Sequence, residues 1–274
     1  MASVNRRVLP GFSLTLGYTV FYLGVLVLLP ITAVFIKASS LSLHEFLGAV
    51  WTERARAAYL LTFGTSFLAA VANVVLGGLI AWVLTRYTFP GKRILDSLVD
   101  LPLALPTAVG GLIYASLYVE NGWIGRYLVP LGIRGAYTRL GIVLVLIFVG
   151  LPFVVRTVQP VLEDLDPEAE EASSSLGATR WQTFTHVILP TLYPALITGF
   201  ALAFARSIGE YGSVVFISGN MPFKTEIAPI LIVARLEEFA YGEATAIAVV
   251  LLAISFSMLL VVNLLESWSR RHDR

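Results

Sequence analysis

The sequence contains no cysteine, which excludes a disulfide framework, a thiolate metal site and a cysteine nucleophile. Histidine is almost as scarce. His44, His186 and His272 lie far apart and form no spaced ligand set, and His186 is expected simply to face water. Charged residues make up only 14% of the 274 positions, against 57% hydrophobic, and the net charge is +1. That balance excludes a charge-driven nucleic-acid binder. No run of the type G-x-x-x-x-G-K-[ST] occurs: Gly91-Lys92 has no glycine five positions earlier, and Arg93 stands where Ser or Thr is needed. The chain therefore has no nucleotide-hydrolysing loop of that kind. Also missing are a Gly-x-Ser-x-Gly elbow, a His-Glu-x-x-His helix, a spaced pair of cavity-facing acids, any internal repeat and any low-complexity tract.

What remains is apolar sequence in long runs. About six stretches are long and apolar enough to cross a bilayer as helices: 14–36, 58–85, one beginning at Asp100, 140–158, 192–217 and 244–265. The fold class this implies is an all-α membrane protein of one domain, with a lipid bilayer as its solvent. The first run follows Arg6 and Arg7 and lacks a small-x-small cleavage site, so it reads as a retained span, broken near its outer end by Pro30. Residues 37–57, with Glu53, Arg54 and Arg56 near Trp51, read as an outer interfacial segment, since Trp prefers the headgroup level. Basic residues divide nearly evenly between the two sides. The clusters beside span ends, Arg86/Lys92/Arg93 and Arg270/Arg271, orient the chain with both termini in the cytoplasm.

The third run opens with Pro102, Pro106, Gly110 and Gly111 within ten residues. Proline frees carbonyls that in a membrane must face protein or a water-filled cavity. The stretch is either a broken helix beside a translocation path or a Pro-kinked helix packed against its neighbours.

One stretch does not belong with its surroundings. Residues 163–190 are polar and acidic at their start, far too charged for a bilayer core, so they form a soluble segment between two spans. Asp166-Pro167 reads as an N-cap with Pro at the first helical position, followed by Glu168, Glu170 and Glu171 where the helix dipole favours acids. Gly177 stops that helix, and Thr179-x-x-Gln182 starts a second as a capping box, with Trp181, Phe184 and Ile188 at helical spacing. Pro190 and Pro194 bracket the return to the membrane. A pair of short helices at the membrane surface suits docking to a cytoplasmic partner; an ordinary structured loop is the plainer alternative.

Inside the fifth run, Arg206 and Glu210 are four apart on one helical face and can pair. The pair is either a helix brace or, if split, a source of positive field along an anion route. Pro106, Thr107, Ser207, Ser213 and Asn220 are the further candidates for such a path: the hydroxyls and the amide can hand an oxyanion along without holding it tightly. Lys224 and Glu226, in the loop that follows, read as solvated charges or as contacts for a substrate-delivery protein.

Residues 163–190 resemble the EAA loop of bacterial ABC-importer permeases, with Glu171, Ala172, Ser173, Gly177, Val187, Leu189 and Pro190 at the motif's spacing. Ser173 and Val187 replace the family's Ala and Ile. Over nearly its whole length, in RRVLPGFSLTLG, ILDSLVDLPLALPTAVGGL, PFVVRTVQPVLEDL, SIGEYGSVVFISGN and Lys224-Thr225-Glu226, the chain is similar to the T-type permeases of sulfate/thiosulfate ABC importers. Molybdate permeases share the loop and are the nearest relatives to confuse with it. The resemblance implies a type I importer permease fold, with residues 1–57 as tail, first span and outer segment, 58–266 as the permease domain, and 267–274 as a cytoplasmic tail. It implies that Glu171, Ala172, Ser173, Gly177, Trp181, Leu189 and Pro190 couple the chain to two cytoplasmic ATPase subunits. Those subunits would hold the ATP and Mg, leaving this chain non-catalytic and without a cofactor. A homologous W-type permease and a periplasmic sulfate/thiosulfate-binding protein would complete the assembly in the inner membrane, working by alternating access. An ion-gradient-driven secondary transporter is the alternative from another class; it predicts inverted repeats, which the sequence does not display.

Overall fold

A computed structural model describes residues 12–272. Arg6, Arg7 and Arg274 lie outside the described residues, as do the side chains of Arg270, Arg271 and His272. The described residues contain helices and connecting turns and no strand. In chain order the helices are α1 (Leu14–Ser39), α2 (Leu43–Val50), α3 (Glu53–Arg86), α4 (Lys92–Val99), α5 (Leu101–Ala104), α6 (Thr107–Tyr118), α7 (Gly125–Leu128) and α8 (Arg139–Glu163). They continue with α9 (Pro167–Ser175), α10 (Arg180–Ile208), α11 (Val214–Ile217), α12 (Ala228–Glu237) and α13 (Tyr241–His272).

Five of these, α1, α3, α8, α10 and α13, are long and apolar enough to cross a membrane. The third expected span is not one helix. From Asp100 it is divided into α5 and α6, with extended backbone at Leu105 and Pro106, and α4 precedes it as a separate helix. The stretch is therefore broken rather than kinked.

The core is the triad α3, α8 and α10. A side chain built at Gly77 would meet Val154 Cβ at 2.9 Å, and one at Gly199 would meet Val154 Cα at 3.1 Å. A side chain built at Gly150 would collide with the Asn73 amide and meet Ala203 Cβ at 3.4 Å. Small residues thus let three backbones approach closely, which is how apolar helices associate in lipid. The pairings 77 with 154 and 73 with 150 run α3 parallel to α8. The pairings 199 with 154 and 203 with 150 run α10 antiparallel to both. The second half of α1 and all of α2 lie along α13.

Four expected boundaries move. Pro30 does not break α1, nor does Pro190 mark a new helix. A single π turn precedes each, Gly24–Leu28 and Phe184–Ile188, in which Leu29 N–H reaches back to Gly24 O and Leu189 N–H to Phe184 O. Widening the turn accommodates a proline that has no N–H to donate and whose ring crowds the preceding carbonyls. The second soluble helix is therefore the start of α10, not a short helix of its own. At its other end α10 stops at Ile208, earlier than the expected 217, and α11 follows after a break. The outer interfacial segment is likewise shorter than expected: α3 begins at Glu53, capped by the Thr52 hydroxyl, which accepts from Ala55 N–H at 3.1 Å.

Candidate functional site

Two places in this frame depart from uninterrupted helix. The first is residues 163–190. Asp166 accepts from Glu168 N–H at 2.9 Å and caps α9. Acids fill that helix's first turn, where the exposed N–H groups favour them. Its end closes through Ala178 N–H to Ser173 O at 3.1 Å, with Gly177 at φ +83°, a backbone conformation that suits glycine. Thr179 and Gln182 form the reciprocal capping box that opens α10: Thr179 N–H donates to Gln182 Oε1 at 2.8 Å, and Gln182 N–H to Thr179 Oγ1 at 3.3 Å.

The loop is tied to the bundle at few points. Ser173 and Thr183 hydroxyls meet at 2.9 Å, joining α9 to α10. Arg86, at the end of α3, pairs with Glu170 and lies 5.1 Å over the Trp82 ring. Trp82 meets Phe184 edge to face at 5.8 Å, and Phe184 stacks on Trp181 at 5.7 Å. Glu171, Ala172, Gly177, Trp181 and Pro190 stay exposed and Leu189 half-buried. Leu176 is 89% exposed and Trp181 71%, so the loop turns its largest apolar groups away from its own bundle. A notch of about 340 Å³ between Ser173, Gly177, Ala178, Gln182 and His186 lies in that surface. His186 is exposed, as expected.

The second departure is where two helix breaks meet. Gly212, after the end of α10, lies directly against the Thr107 hydroxyl, and Gly111 against the Ser213 carbonyl; a side chain at either glycine would collide. Arg206 Nη1 binds Glu210 Oε2 at 2.6 Å. The other carboxylate oxygen accepts from Ser213 N–H at 2.8 Å and Ser213 Oγ at 2.9 Å. Glu210 is 2% exposed, so its charge is held by a cation and two dipoles in an apolar setting, as a buried acid requires. Ser207 donates to Ala203 O at 2.8 Å. Pro106, Thr107, Arg206, Ser207, Glu210 and Ser213 are thus brought together. Asn220 is not: at φ +52° beyond the far end of α11, it accepts from Ser218 Oγ at 2.6 Å and donates to Val215 O at 3.1 Å.

Arg206 and Glu210 pair as expected, although Glu210 has left the helix. The pair is closed, so Arg206 does not act as an uncompensated charge. Its side chain remains 33% exposed.

Like Arg86–Glu170, two further long-range ties are not legible in the sequence. Glu226 is not a solvated loop charge: it is 4% exposed and accepts a two-pronged contact from Arg54 Nε and Nη2 at 2.8 and 2.7 Å. The adjoining Ala228 N–H donates to Thr62 Oγ1 at 2.8 Å. Arg156 clamps the break at the other end of the bundle, donating to Asp100 at 2.9 and 2.6 Å, to Asp96 Oδ1 at 2.7 Å and to the Asp96 carbonyl at 2.8 Å. The Arg156 guanidinium holds the Asp100 carboxyl below its ordinary pKa. The only signal available in advance was charge placed close to span ends. No group of three or more His, Asp or Glu that could hold a metal ion occurs among the described residues.

Known proteins with these features are transport permeases. The family described as binding-protein-dependent transport system inner membrane component matches residues 73–271. The chain is 51% identical over 254 residues to the sulfate transport system permease protein CysT of Synechocystis, covering 93% of this chain and 89% of that one. It is 49% identical over 263 residues to the Escherichia coli protein of the same name, covering 96% and 95%. Among solved structures, a bacterial ABC transporter involved in the import of the acidic polysaccharide alginate superposes with a TM-score of 0.77 at 16% identity, covering 95% of each chain. A bacterial alginate transporter in complex with its alginate-bound periplasmic protein superposes at 0.75 and 17%, covering 92% of each. At those identities the structures establish the fold alone, that of type I importer permeases. The chain belongs to the family of inner-membrane components of binding-protein-dependent transport systems, in the branch whose members are named sulfate transport permeases.

Proposed function

We propose that the chain is a translocating subunit of an ATP-driven importer for sulfate and thiosulfate. Identity near one half over almost the whole chain to permeases of that name carries this reading. The geometry is consistent with a drive point and a route. Helix α9 and the Gly177 turn project exposed Leu176 and Trp181 from the bundle, a surface suited to the cleft of an ATPase subunit. Glu171, Ala172, Ser173, Leu189 and Pro190 complete that seat. Two ATPase subunits, a homologous W-type permease and a periplasmic sulfate/thiosulfate-binding protein are the partners, and ATP and Mg belong to the ATPases. This arrangement puts the loop and both termini in the cytoplasm.

The route passes the meeting of the two breaks at Pro106, Thr107, Ser207, Ser213 and the closed Arg206–Glu210 pair. Neutral hydroxyls beside a compensated cation offer an oxyanion weak, replaceable contacts, as passage demands. ATP binding closes the ATPase dimer, moves the loop and opens the breaks outward; hydrolysis resets them. Asn220 marks the outer end of the same segment.

The test is ATP hydrolysis by the purified complex with binding protein loaded either with sulfate or with molybdate. Stimulation by the sulfate-loaded protein is expected. Stimulation by the molybdate-loaded protein alone would overturn the assignment.

A further inference from the structure

The arginines of the spans and their ends divide by what they touch. Arg54, Arg86, Arg156, Arg206 and Arg235 each face a carboxylate, and Arg56 lies 5.8 Å over the Trp51 ring. Arg139 does neither. It stands in the first turn of α8, where the partial positive charge of the helix end disfavours a cation. Its Nε donates to a neutral acceptor, the Lys224 carbonyl, at 2.9 Å. That bond draws a second basic residue towards the first, and no acid joins them. Both residues are exposed. The arrangement works against local electrostatics, and no carboxylate among the described residues pairs with Arg139.

Arg139 also lines a groove of about 770 Å³, together with Phe223, Leu60, Leu61 and Leu68 of α3 and Val143 of α8. It is the one charged residue of that lining. The groove opens at the end of α8 opposite the acidic loop, the side from which substrate arrives. Apolar walls offer the guanidinium no counter-charge within the cleft, so its field reaches an approaching anion. The bond through Nε fixes the fork and leaves its terminal nitrogens without a partner, the geometry that binds a tetrahedral oxyanion with two parallel N–H groups.

We propose that Arg139, supported by Lys224, is the outer receiving site for the transported dianion. It would draw sulfate from the delivery protein into the groove before the anion reaches the closed Arg206–Glu210 pair. This rests on the assignment of a sulfate-class oxyanion as cargo.

The absence of cysteine makes the test direct. Arg139→Cys is assembled with its partners, reconstituted in proteoliposomes with sulfate-loaded binding protein, and treated with one of three thiol reagents that add a cationic aminoethyl, a neutral methyl or an anionic sulfonatoethyl group. Complex carrying the unaltered chain, treated in parallel, controls for thiols on the partners. Radiolabelled sulfate uptake should fall roughly tenfold or more in the variant. The aminoethyl group should restore most of it, the methyl group should not, and the sulfonatoethyl group should lower it further. Equal recovery with the neutral and cationic groups, or undiminished uptake before treatment, would overturn the proposal. Dissociation of the variant from its permease partner on size exclusion would overturn it too, by marking the groove as a subunit seat. If the unaltered complex fails to take up sulfate but carries another anion, the cargo assignment fails instead.

Discussion

Two interruptions of helix, at residues 164–179 and 209–213, are finished in opposite ways. The first is closed by short-range caps at the surface: Asp166, Thr179 and Gln182 satisfy the orphan N–H groups, and Gly177 supplies the left-handed turn. Its Leu176 points outward, 89% exposed. The second is closed in the interior, where the Glu210 carboxylate bonds Arg206 on one side and the Ser213 N–H and hydroxyl on the other. A surface interruption can leave groups for a partner because water satisfies what the fold does not. An interruption within the membrane must be satisfied from inside the chain, since lipid offers no hydrogen bonds. One leaves groups open to a partner; the other is satisfied from within.

The sharpest way to break this comparison is at Glu210. Glu210→Ala leaves Arg206 without its counter-charge and Ser213 N–H without its acceptor. A loss of about 3 kcal/mol is expected, at the low end for a broken buried pair because Arg206 keeps some solvent. Thermal unfolding in detergent would register it as a lower midpoint and a smaller folded yield. A variant as stable as the parent would show that the break needs no internal closure.

The smallest expected effect comes from the Arg156 clamp and depends on pH. Arg156 lowers the Asp100 pKa in the folded chain, so the contact stabilises the fold at pH above the carboxyl's unfolded value. That contribution disappears as pH falls through the lowered folded value. Asp100 is 46% exposed, which keeps the gain under about 1 kcal/mol. Acid titration of unfolding, with and without Asp100→Asn, should show the parent losing its small advantage as the solution is acidified. Parallel curves would remove Asp100 from the account.

Legibility in the sequence followed distance along the chain. The caps at Asp166 and Thr179 and the turn at Gly177 each depend on residues within a few positions, so residue type and spacing revealed them. The spans were visible for the same reason, being continuous apolar runs. The Arg54–Glu226 tie joins residues 172 apart and the Arg86–Glu170 tie residues 84 apart, and nothing local to either partner names the other. Glu226 therefore read as a loop charge, although it is buried. Proline misled in another way. Pro30 and Pro190 promised breaks, but a π turn ahead of each carried the helix through. At Leu105 and Pro106, where the backbone turns extended, the break is real.

The central proposal is that α9 and the Gly177 turn transmit force and take no part in the membrane core. Gly177→Val tests it, because a β-branched residue at φ +83° costs roughly 1–2 kcal/mol or more in backbone strain and must deform the turn. Sulfate uptake and ATP hydrolysis should be measured in the same proteoliposomes, beside the thermal stability of the permease. Uptake should collapse relative to hydrolysis, or the ATPase should dissociate, while the spans unfold at the parental temperature. Uptake that keeps its parental ratio to ATP hydrolysed, in an intact complex, would contradict the account.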